Sequence, residues 1–115
     1  LAADTAADAQ HLATSREHSR ILRDEGIREA LVPPDEAAAY PYTDAQRHRI
    51  EGMRRRAFVG TPDQVKARLT ALASELGLDE LVVVTWTYDP APRHRSYELL
   101  AEAFGLSPAA PSDAR

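Results

Sequence analysis

Thr85-Trp86-Thr87-Tyr88 is the stretch of this chain best equipped to hold a ligand. Trp86 offers a flat apolar face for a hydrophobic substrate. The hydroxyls of Thr85 and Thr87 can donate hydrogen bonds to carbonyl groups. Tyr88 and His94 stand close enough in sequence to line the same pocket. The competing account is that Trp86 plugs an apolar interior. A second candidate is Gly60-Thr61, which opens a helix whose free N–H groups could hold a phosphate. Simple capping by Thr61 explains the same residues.

The other reactive side chains have unproductive spacing. His11 and His18 lie two turns apart on one helix, too far to share a metal without a ligand between them. His48 and Glu51 are compatible with ligation but fall on a polar, solvated helix, so no metal site is expected. Arg54-Arg55-Arg56 would point in different directions on a helix and suit its C-terminal end rather than form one basic face. No cysteine is present, which excludes disulfides and thiolate chemistry. Paired carboxylates, a Ser-His-Asp set and a P-loop are also missing, so no catalytic residue can be named. Net charge is −4, which argues against a nucleic-acid partner. No apolar run approaches the ~20 residues that span a bilayer. A cytoplasmic location is expected.

Several elements must position these residues. Thr5 caps a first helix that runs to about Arg23, with Ala9, Leu12, Ala13, Ile21 and Leu22 as its apolar stripe and Arg16, Arg20 and Arg23 in solvent. Gly26 stops it, and Pro33-Pro34 blocks continuation. Asp35–Ala39 can form a helical turn. Thr43-Asp44-Ala45-Gln46 is a capping box for a helix from Asp44 to about Arg54, read as a surface insertion. Ala57-Phe58-Val59 reads as a short strand. Thr61-Pro62-Asp63-Gln64 then starts a helix with Val65, Leu69, Leu72, Ala73 and Leu76 on one face. Gly77 stops it. Leu81-Val82-Val83-Val84 is a continuous β-branched run, the pattern of a parallel strand covered on both faces. A last helix, Pro92 to Phe104, turns Tyr97, Leu100, Ala101 and Phe104 inward. Two consecutive β/α units imply an α/β protein with a parallel sheet, incomplete as it stands because few strands are present to pair.

Three stretches together carry a resemblance: Phe58-Val59-Gly60-Thr61-Pro62-Asp63-Gln64-Val65, Asp79-Glu80-Leu81-Val82-Val83-Val84-Thr85-Trp86-Thr87, and Arg95-Ser96-Tyr97-Glu98-Leu99-Leu100-Ala101. The chain resembles the C-terminal end of the luciferase-like flavin-dependent monooxygenases. That resemblance implies the last β/α units of a (β/α)8 TIM-type barrel, with residues 1–106 as the C-terminal part of the barrel domain and 107–115 as a disordered tail. It implies reduced flavin mononucleotide, FMN, with oxygen inserted from O2 into an organic substrate. A deazaflavin, coenzyme F420, would replace FMN in a dehydrogenase of the same type. Thr85, Trp86 and Thr87 would then face the cofactor, and Tyr88 and His94 the substrate. The implied partners are the flavin, a small organic substrate, the remainder of the barrel, a flavin reductase and a second subunit. This piece alone is expected to be inactive. The alternative is a self-contained small α/β interaction module without catalysis.

Overall fold

Capping residues set most helix boundaries. The computed structural model describes residues 1–106, and the tail expected over 107–115 lies outside the described residues. Helix α1 spans Ala6–Asp24. Thr5 Oγ1 accepts the Asp8 N–H at 3.0 Å. Helix α2 spans Pro34–Ala39, with Pro34 in the first turn where no N–H is needed. Helix α3 covers Asp44–Arg56 and helix α4 Pro62–Leu76. Each begins with a complete capping box, Thr43 with Gln46 and Thr61 with Gln64. Gly77 closes α4 with a φ of 63°, a left-handed geometry that a side chain would strain. Helix α5 runs Pro90–Ala103.

Two small apolar clusters hold these helices. Ile21 of α1 meets Ile50 and Met53 of α3, with Tyr42 against them. Helix α3 is therefore anchored, not a loose surface insertion. Val65 and Leu69 of α4 meet Leu99 and Leu100 of α5 and Ala2, with Phe58 and Leu81 alongside. The N-terminal segment ties the two groups together. Ala2 N–H donates to Ser96 Oγ at 2.9 Å, and Arg95 pairs with Asp4 at 3.0 Å.

The α/β expectation, a piece of a (β/α)8 barrel, is corrected here. Among the described residues there are five helices and no β-strand. Extended backbone meets extended backbone only at one isolated parallel bridge, Ala2 with Gly60. The physical reason lies in the neighbours. Leu81–Val84 has the β-branched composition of a strand, but none of its backbone groups makes a backbone hydrogen bond among the described residues. A ladder needs a second chain segment alongside. The interior stripes also differ. Leu72 and Ala73 of α4 are half-buried and Leu76 is 60 % exposed, so the apolar stripe is only partly covered. Helix α5 buries Ser96, Leu99 and Leu100, and leaves Tyr97 and Phe104 exposed.

Candidate functional site

The Val82-Val83-Val84 run disfavours helix, since β-branched side chains crowd the preceding turn. Gly77 ends α4 before it, and Pro90 starts α5 after it. The intervening segment is neither helix nor strand, and Val82, Val83 and Val84 are exposed in succession. Leu81 packs on the α4–α5 cluster and Thr85 is buried. Val82 is 83 % exposed, Val84 66 % and Trp86 59 %. Only Leu81 and Thr85 are covered, and the three valines between them are open, so the expectation of a strand covered on both faces does not hold.

The segment Leu81–Trp86 lines a cleft of about 640 Å³. That size is within the ~300–1,000 Å³ of small-molecule sites. Helix α4 contributes Leu69 and Leu72 to the lining. Helices α1 and α3 also line it. Ala13, Arg16 and Arg20 lie one turn apart on α1, and Met53 and Arg56 on α3.

Charge along these two helices is unevenly matched. Glu17, nearly buried, accepts from Arg54 Nε and Nη2, both at 2.9 Å, and from Gln10 Nε2 at 3.1 Å. The bond to Glu17 holds the Arg54 guanidinium pKa above its ordinary value, against the opposing effect of burial. Arg49 pairs with Asp24 at 3.2 Å. Arg16, Arg20 and Arg56 pair with no carboxylate among the described residues. Burial and then the neighbouring Arg20 charge push the Arg16 pKa down. The Tyr42 phenol is pushed up to about 12, first by burial and then by Glu17 and Tyr40.

The residues singled out from sequence are not all brought together. Thr85 and Trp86 line the cleft, whereas Thr87, Tyr88 and His94 do not. Thr85 N–H donates to Tyr97 Oη at 3.1 Å, while its buried Oγ1 has no partner. Thr87 Oγ1 donates to the Asp89 carbonyl. Tyr88 and His94 are exposed. Gly60 N–H donates to the Leu1 carbonyl at 3.2 Å, and Thr61 N–H to Gln64 Oε1 at 2.9 Å, so both donors proposed for phosphate are engaged. A Cβ on Gly60 would sit 2.4 Å from that same Gln64 oxygen. No group of three or more metal-ligating side chains occurs among the described residues. No helix there is long and apolar enough to cross a membrane.

Sequence reasoning placed Arg16 and Arg20 in solvent, and they are exposed, but it did not foresee that they line a cleft with Arg56. The available signal was the four-residue spacing of Arg16 and Arg20 beside Ala13, which sets both on one helix face.

No family model matches this chain. Three proteins of Bacillus subtilis (strain 168), all named as uncharacterized, are similar to it. YwcH is 38 % identical over 105 residues, which are 90 % of this chain and 32 % of YwcH. YceB and YvbT are each 32 % identical over 104 residues, 90 % of this chain and 31 % of theirs. The crystal structure of apo-MsnO8 superposes with a TM-score of 0.77 at 34 % identity, covering 93 % of this chain and 33 % of that one. The chain therefore spans about a third of the length of the relatives it matches. The reading as a luciferase-like flavin-dependent monooxygenase is corrected with the barrel. The helical arrangement has no sheet among its described residues, and none of the matched names carries that activity. The labels of flavoprotein, monooxygenase and oxidoreductase rested on the same reading and go with it.

Proposed function

We propose that this chain is a binding module without catalysis of its own, and that it docks another polypeptide segment against Leu81–Trp86. The observation that carries this reading is the exposure of Val82, Val84 and Trp86 beside Leu81–Val84 backbone that makes no backbone hydrogen bond among the described residues. Backbone N–H and C=O groups left without partners favour an added strand. The exposed apolar side chains supply the burial that such a strand needs. The occupant we assign is polypeptide of the kind that makes up the unmatched two thirds of YwcH. The length relation supports it, since the matched stretch is 32 % of that protein.

The test is reconstitution. The unmatched portion of YwcH, produced separately, is titrated into this chain. Trp86 is the single tryptophan, so its emission reports this segment directly. A one-to-one complex is expected, with blue-shifted Trp86 emission and slowed amide exchange over Val82–Trp86. Unchanged emission and exchange at high micromolar concentration would rule the reading out.

A further inference from the structure

The cleft is lined by two chemically different sets of side chains, and the difference narrows what can enter it. Val82, Val83, Val84 and Trp86 give the cleft an apolar lining, and Arg16, Arg20 and Arg56 line the same cleft. No neighbouring acid forms an ion pair with these arginines among the described residues, although the Glu17 charge favours the charged form of Arg16. Glu17 is already held by Arg54 and Gln10, and Asp24 by Arg49. Arg16 and Arg20 are one helical turn apart, close enough to repel each other. A carboxylate between them would relieve that repulsion and accept from both forks.

Resting on the docking reading above, we infer that the segment accepted by this cleft is apolar along one face and acidic at its flank, with its carboxylates held between Arg16, Arg20 and Arg56. The apolar positions settle against Val82, Val84 and Trp86. The carboxylates choose among competing apolar strands, because a lysine at the same place would meet three cations. Such charges act more on selection and association rate than on total affinity.

Two synthetic peptides test this. Both have a Val-Thr-Val-Thr-Val centre, one flanked by glutamates and the other by lysines. Binding is followed by Trp86 emission at low and at raised salt. The glutamate peptide is expected to bind about tenfold more tightly, with the margin shrinking as salt rises. The double variant Arg16→Gln/Arg20→Gln is expected to erase the margin, and Arg16→Lys/Arg20→Lys to keep most of it. Thermal melting confirms that each variant is folded. Equal affinity of the two peptides for the unaltered chain overturns the acidic assignment and leaves docking standing. A margin that survives Arg16→Gln/Arg20→Gln overturns the assignment to these arginines. If neither peptide moves Trp86 emission, the inference fails, and the YwcH reconstitution decides separately whether docking fails with it.

Discussion

Glu17 has only 8 % of its surface exposed, and three donors from Gln10 and Arg54 meet its carboxylate. Replacing one member of such a set leaves the others with unmet hydrogen bonds. Glu17→Gln should cost about 1–3 kcal/mol, read as a lower urea midpoint at unchanged slope. The half-exposed Arg54 keeps the loss from being larger. Tyr42 gives a pH signature. Its folded-state pKa is raised to about 12, against ~10 for a free tyrosine. A raised acid of this kind stabilises the fold fully below pH ~10, and the contribution disappears as pH climbs through the folded value. Alkaline titration should show a late phenolate component near the top of that window, which Tyr42→Phe removes. Thr85 presents the opposite case. Its buried Oγ1 has no partner, so Thr85→Val should leave stability unchanged or raise it by up to about 1 kcal/mol. A clear loss on melting would mean that the hydroxyl has a partner.

At the scale of elements, α4 separates what periodicity predicts from what burial delivers. Val65, Leu69, Leu72 and Leu76 recur at helical spacing, but only Val65 and Leu69 are buried. Leu69→Ala should cost about 2–5 kcal/mol. Leu76→Ala, at a 60 % exposed position, should cost less than about 0.5 kcal/mol. Chemical denaturation of the two variants side by side checks the contrast. Equal losses would place a covering layer over Leu76. The starts of α1, α3 and α4 were legible because a cap is a local transaction among four residues: Thr5, Thr43 and Thr61 each accept the N–H that their spacing announces. The Gly77 stop was legible for the same reason. Which face of α5 turns inward was not, since Ser96 is drawn in by the distant Ala2 N–H. The strand character of Leu81–Val84 was legible as composition, whereas its lack of neighbours is a property of the whole arrangement. The candidate site was read in the same partial way. Trp86 and Thr85 do line the cleft, but its arginine lining depends on how α1 and α3 pack.

For the whole molecule, the decisive quantity is the apolar surface left uncovered. Val82, Val84 and Trp86 are each more than half exposed, Val83 between them is exposed as well, and Phe104 and Leu106 are exposed elsewhere. An edge of this kind is a template for self-pairing, and lysine is a common way of blunting one. This leads to a prediction that needs no partner. The isolated chain should self-associate as its concentration rises, and Val82→Lys/Val84→Lys should remove that tendency. The two positions lie outside both apolar clusters, so the double variant should melt within about 0.5 kcal/mol of the parent. Sedimentation over a range of concentrations, paired with thermal melting, measures both effects. A variant that becomes monomeric and stays folded assigns the association to this segment. One that unfolds would show that Val82 and Val84 support the helices after all. A parent chain that stays monomeric throughout would mean that this segment is protected in solution, and the docking reading would lose its main support.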